Sequence, residues 1–179
     1  IWGSLAAGVL EVANVAAGAV SWTIVPVPNP APTGTATRLQ VPGSTAFNGG
    51  EGIVWQDGLV YFTTKGDNRV WRYDPKAEQL ELFYDLAQDP GAQLSGVDNI
   101  AAARSGDLIV AEDPGNLELI LLTPECVASP LVRVTGQAGS ELTGPAFDPL
   151  GRRLYFSSQR GGPSGGGITY EVTGPFRRS

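Results

Sequence analysis

The chain has 179 residues, 42% hydrophobic and 17% charged, which suits one globular domain with a sizeable core and excludes a disordered segment. Its formal charge is −6, and no basic run exceeds the pairs Arg152-Arg153 and Arg177-Arg178, which argues against nucleic-acid binding. Histidine is absent and cysteine occurs once, so His-based zinc sites, Ser-His triads and internal disulfides are excluded and any metal chemistry rests on oxygen ligands, the donor set of calcium, magnesium, manganese or ferric iron.

Glycine (24) and proline (14) are both abundant, and charged helix-formers are sparse, as in an all-β protein with many turns. The opening "IWGSLAAGVLEV" reads as a strand already under way. With no methionine in the sequence and no signal sequence or membrane-spanning apolar run, a piece of a longer protein is expected. Residues 1–25 hold two strand-like runs, "GSLAAGVLEV" and "AVSWTIVPV". Residues 26–50 form a proline- and glycine-rich connection, and residues 51–179 are strand-rich throughout.

Three segments in that last part align at their starts: "EGIVWQDGLVYFTTKGDNRVWRYD" from Glu51, "DNIAAARSGDLIVAEDPGN" from Asp98, and "GPAFDPLGRRLYFSSQRGG" from Gly144. The spacings are 47 and 46 residues. Each segment has a short strand, a turn (Asp57-Gly58, Ser105-Gly106, Leu150-Gly151) and a β-rich strand, the pattern of a hairpin. Strands are expected near 52–56, 59–64, 69–74 and 79–84, then 99–103, 107–112, 117–122 and 131–135, then 144–148, 153–158 and 167–172. A period in the forties with about four strands per unit marks a β-propeller. About three to three and a half four-stranded blades are visible, with residues 1–25 expected as the outer strands of a preceding blade. So few blades cannot close a ring.

The first strand of a propeller blade lines the central channel, and the second returns to the level where the first began. Glu51, Asp98 and the segment from Glu141 therefore stand at one axial mouth. Lys65 follows Glu51 by fourteen residues, and Glu112 follows Asp98 by fourteen, with Asp113 next to it. Gln159 and Arg160 occupy the corresponding place in the third unit. Clustered carboxylates repel one another unless a cation lies between them, so this rim reads as a calcium-type site. Asp67, Asn68, Asp107 and Asp148 read as turn residues. Cys126 reads as a small apolar residue, and Trp2, Trp22, Trp55 and Trp71 as packing between blades. The loop "GGPSGGG" lacks the strand-to-helix setting of a phosphate cradle and reads as a flexible hairpin.

The three repeat segments, above all "TGPAFDPLGRRLYFSSQRG" and "GITYEVTGPF", resemble the PhoX-type alkaline phosphatases over roughly residues 40–176, with the chain corresponding to the C-terminal half of that family. The resemblance implies a secreted, periplasmic or cell-surface bacterial protein, typically exported by the twin-arginine route, with a six-bladed propeller. It also implies a mixed iron and calcium centre that hydrolyses phosphomonoesters. Carried onto this sequence, Glu51, Asp98, Glu112 and Glu141 are the metal ligands or their support, and Lys65, Asn99, Asp113, Gln159 and Arg160 lie around them or face substrate. The partner is then the remaining N-terminal half of the propeller, which would carry the family's iron-binding cysteine, and this portion alone is expected to be inactive. The approach to Glu51, "FNGGEG", has glycine where a phosphate-holding arginine is expected, with Lys65 or Arg160 as substitutes. The alternatives are a non-catalytic, calcium-stabilised extracellular propeller and a lactonase-like hydrolase with a single calcium.

Overall fold

The computed structural model describes residues 7–89, 91–113 and 115–177. Trp2 and the first part of the strand expected over residues 3–12 lie outside the described residues. The chain is all-β, and its described residues form three sheets and short 3-10 turns. Strands β3 (Gly50–Gln56), β4 (Leu59–Thr64), β5 (Arg69–Asp74) and β6 (Gln79–Asp85) form the first antiparallel meander. Strands β7 (Val97–Ala102), β8 (Leu108–Glu112), β9 (Glu118–Leu122) and β10 (Ala128–Arg133) form the second. A third sheet of three strands contains β11 (Leu142–Phe147), β12 (Arg153–Ser158) and β13 (Ile168–Thr173). The leading strands β3, β7 and β11 lie next to one another, as the inner strands of successive propeller blades do.

Two-residue turns set the hairpins β1–β2 and β3–β4. Asp57 (φ 48°) and Gly58 (φ 89°) both occupy the left-handed region, so Gln56 pairs with Leu59 across a turn that follows the strand twist. Ala17 (φ 50°) and Gly18 (φ 88°) do the same between β1 (Glu11–Ala16) and β2 (Ala19–Ile24). This hairpin is expected from sequence as the outer strands of a preceding blade. It continues the first blade's own sheet, in the order β1-β2-β6-β5-β4-β3, with Val20 N donating to Glu78 O and Leu80 N donating to Gly18 O.

The core lies between blades. The middle strand β8 is buried along its whole length because a blade covers each of its faces. Leu108 and Val110 point into the first core with Tyr61, Val70, Tyr84, Ile100, Ile120 and Leu122. Ile109 and Ala111 point into the second with Leu119, Leu142, Leu154 and Phe156. Each fully buried aliphatic side chain stabilises by about 1.5–3 kcal/mol, so these two interfaces fix the angle between blades.

All three inner strands carry a register irregularity at the same place, between Gly50 and Ile53, Val97 and Ile100, and Thr143 and Ala146. A bulge there bends the strand end and re-aims its side chains, at the level where Glu51, Asp98 and Gly144 stand. Gly52 lies within the first of these irregularities. A Cβ at Gly52 would come within 2.6 Å of Ile100 N and 2.9 Å of Asn99 Cα, so the absent side chain lets β3 and β7 meet at the axis.

Candidate metal centre at the axial mouth

Asp98, from the bulge of β7, Asp113, directly after β8, and Glu141, directly before β11, offer carboxylate oxygens that all lie within 4.8 Å of one another. Their side chains are largely covered, at 11%, 13% and 16% exposed. Two blades thus supply the acids and the first supplies a cation. Lys65 opens the 3-10 turn Lys65–Asp67 after β4, and its Nζ bonds Asp98 Oδ2 at 3.3 Å and Asp113 Oδ2. Arg160 closes the far side, with Nη2 3.4 Å from Glu141 Oε2 and Nε donating to Gly139 O at 3.0 Å.

Equivalent backbone bonds place the second-strand ends. Lys65 N donates to Gly49 O, Asp113 N to Gly96 O, and Gln159 N to Glu141 O. Lys65, Asp113 and Gln159 are therefore structural counterparts, as are Gly49, Gly96 and Glu141. Asn99 links the second and third blades: its Nδ2 donates to Asp98 Oδ1 at 2.6 Å, while its Oδ1 accepts from Thr143 Oγ1 at 2.7 Å and Gly144 N at 2.6 Å. The Asp98 carboxylate is thereby oriented from both sides, by Asn99 and by Lys65.

Proton affinities at the mouth diverge. The hydrogen bond to Asp113 raises the Glu141 carboxyl, and burial adds to this. Burial pushes Asp113 up, but the bonds from Glu141 and Lys65 outweigh it and hold Asp113 below its ordinary range. The Lys65 ammonium is raised chiefly by its bond to Asp113, against burial. Two cations, Lys65 and Arg160, lie against these three close carboxyl groups and offset their mutual repulsion.

Of the sequence-predicted residues, Asp98 and Glu141 meet, and Asp113, Lys65, Asn99 and Arg160 surround or complete the group. Gln159 is exposed and joins only through its backbone. Glu51 is exposed on β3 and stands outside the carboxylate group. Glu112 does not reach the mouth. It is fully buried, its Oε1 accepting from Ser95 N at 2.9 Å and its Oε2 from Glu118 N at 3.3 Å. The physical reason is register. Gly50 pairs with Thr64, fourteen residues on, but Val97 pairs with Glu112, fifteen residues on. The longer β7–β8 turn turns Glu112 inward and brings Asp113 to the rim.

The oxygen donors fit a hard cation. They are carboxylates, they converge within reach of one ion, and an ammonium already lies among them. Asp67, read as a turn residue, closes the 3-10 turn Lys65–Asp67, accepting from Thr64 Oγ1 at 2.5 Å and pairing with Arg69 at 3.1 Å.

Against known proteins, the family model described as Alkaline phosphatase PhoX matches residues 4–162. No curated protein matches the chain significantly. Among solved structures, the chain is similar to luciferin-regenerating enzyme (TM-score 0.55, 20% identity, 74% of this chain and 47% of that one). It is also similar to virginiamycin B lyase from Staphylococcus aureus (TM-score 0.51, 17% identity, 73% and 43%). A third is a structural-genomics protein of unknown function from Bacteroides thetaiotaomicron (TM-score 0.50, 14% identity, 65% and 28%). At these identities the likeness is one of fold, that of a β-propeller, and the chain spans less than half the length of each.

Proposed function

The chain belongs to the PhoX alkaline phosphatase family, and from that premise we propose that it is the C-terminal portion of a secreted or periplasmic metal-dependent phosphomonoesterase. The observation that carries this reading is the convergence of Asp98, Asp113 and Glu141 at one end of the inner strands. These three residues would hold calcium, iron or both. A cation bound there supplies Lewis acidity toward a phosphoryl oxygen, which lets a phosphatase work without histidine.

The chain's own residues do the rest. Asn99 keeps the Asp98 carboxylate fixed by donating to Oδ1. Arg160, about half exposed and anchored through Gly139 O, presents its guanidinium beside the carboxylates, where it can take two oxygens of a phosphomonoester. The pair Asp113 and Glu141 can hold or release one proton as charge at the mouth changes. Glu51, exposed on the neighbouring inner strand, would act toward substrate rather than within the carboxylate group.

A further part of the same ring would cover the first blade. Ile53, Trp55 and Trp22 are more than two-fifths exposed on that blade's outward face, together with Val60, Phe62 and Tyr73. Further blades, the first of them packed there, would complete a six-bladed propeller and any metal set that these residues only begin. Among the described residues no helix is long and apolar enough to cross a membrane.

A second reading, a calcium-stabilised propeller acting as a non-catalytic binding or structural protein, is favoured by one observation: the approach to Glu51 is Asn48-Gly49-Gly50, with no arginine. The test is metal content by elemental mass spectrometry of the longest natural polypeptide containing this chain, with hydrolysis of p-nitrophenyl phosphate. Asp98→Asn, Asp113→Asn and Glu141→Gln are expected to lose bound metal, and activity by 100-fold or more. Metal retained by all three variants would refute the assigned site. Calcium bound with no hydrolysis in the parent protein would establish the second reading.

A further inference from the structure

We propose that Lys65 is a resident counter-ion of the carboxylate group and competes with a metal cation for Asp98 and Asp113, so that metal binding at the mouth requires its displacement. The inference rests on the reading of Asp98, Asp113 and Glu141 as the metal centre.

The geometry makes the two cations exclusive. Lys65 Nζ bonds Asp98 Oδ2 and Asp113 Oδ2, two of the three groups whose oxygens could meet on one ion. A divalent ion held by those oxygens would stand within a few ångströms of the ammonium, and in a site this covered the repulsion is weakly screened. Lys65 and Arg160 already set two positive charges beside these three carboxyl groups, so an entering divalent ion meets cations on both sides.

The chain is built to let Lys65 move. Its side chain is 30% exposed, against 11% and 13% for its two partners, so a path to solvent lies beside it. Its backbone, by contrast, is pinned, with N donating to Gly49 O at 2.8 Å and the 3-10 turn closed by Asn68 in the left-handed region. Displacement is therefore a side-chain rotation with no rearrangement of the blade. Lysine suits this role because its ammonium is a point charge on a flexible stem, without the planar fork that would lock an arginine onto a carboxylate.

Calorimetric titration of the metal-free, longest natural polypeptide with Ca²⁺ tests the competition. Lys65→Met is expected to bind Ca²⁺ at least 10-fold more tightly than wild type, and Lys65→Arg no more tightly than wild type. Without metal, Lys65→Met is expected to melt lower than wild type, and with saturating Ca²⁺ to recover. If the substitution prevents folding, the wild-type protein still answers. Reductive methylation of Lys65, followed by mass spectrometry, is expected to speed up several-fold when Ca²⁺ is added. Unchanged or weaker Ca²⁺ affinity in Lys65→Met, or unchanged methylation in wild type that does bind Ca²⁺, overturns the inference and leaves the metal centre standing. No Ca²⁺ binding by either protein overturns both.

Discussion

Glu112 is a buried carboxylate held by backbone donors. Its oxygens take the N–H groups of Ser95 and Glu118, which tie the loop before β7 to the start of β9. Burial raises the Glu112 carboxyl above its ordinary 4.5, against the pull of those N–H bonds. The folded state thus holds this proton more firmly than the unfolded state. The stability Glu112 contributes is complete below pH 4.5 and is lost as pH rises through the raised folded value. Glu112→Gln keeps one acceptor but turns an amide N–H₂ toward a backbone donor. It is expected to cost about 1–3 kcal/mol in acid. Because only wild type gives up its proton, that gap should narrow as pH rises. Urea unfolding of both proteins across the carboxylate range measures it, and a gap that widens with pH contradicts the assignment. The same residue marks a limit of reading sequence alone. Glu112 and Asp113 are adjacent acids at a strand end, and which one faces the axis depends on a single residue of hairpin length, which a fixed spacing between repeats does not contain.

At the scale of elements, the contact between β3 and β7 is the most constrained. Gly52→Ala places a Cβ against the backbone of Asn99 and Ile100, which cannot rotate away as a side chain would. The expected cost is about 1–3 kcal/mol in chemical unfolding. Asn99 orients Asp98, so the variant should also weaken metal binding in titration; wild-type stability and affinity together would show that the strands do not meet as described. Ile120→Ala, at the fully buried centre of the second blade, is expected to cost about 2–5 kcal/mol with no effect on metal affinity. Most strands were legible because Asp57-Gly58 and the similar turns punctuate β-rich runs, and the three blades appeared through their 47- and 46-residue spacing. The first hairpin was less so. "GSLAAGVLEV" is apolar enough for a strand, but the turn that sets the pairing is Ala17-Gly18, which puts β1 at Glu11–Ala16. Nor could local pattern say that β2 lies on β6, since that contact joins residues sixty apart in sequence.

For the whole molecule, the two ends of the row of blades differ. The last blade turns Arg153, Ser157, Thr169 and Glu171 outward, with Arg153 and Glu171 paired at 3.2 Å and Ser157 and Thr169 bonded at 2.9 Å. The first blade turns Ile53, Trp55, Phe62, Tyr73 and Trp22 outward, with Trp22 edge-on to Tyr73 and Phe47 edge-on to Phe62 and Trp71. Trp22 and Trp55, expected between blades, thus lie on a face with no blade against it among the described residues. Two copies joined end to end would set a polar face on an apolar one, whereas a blade with an apolar face of its own would match it. Burying Ile53 and Trp55 under such a blade is worth about 1.5–3 kcal/mol each. The substitutions Ile53→Glu and Trp55→Glu therefore carry opposite expectations in two settings. In a polypeptide of these 179 residues they should lower binding of a hydrophobic dye and reduce self-association in light scattering. In a longer natural chain that supplies the covering blade, they should lower the melting temperature and weaken metal binding at the mouth, because an inner strand next to the site loses its support. Substitutions that leave the longer protein's melting temperature unchanged would show that the face stays open to solvent and that the ring closes, if it closes, by another route.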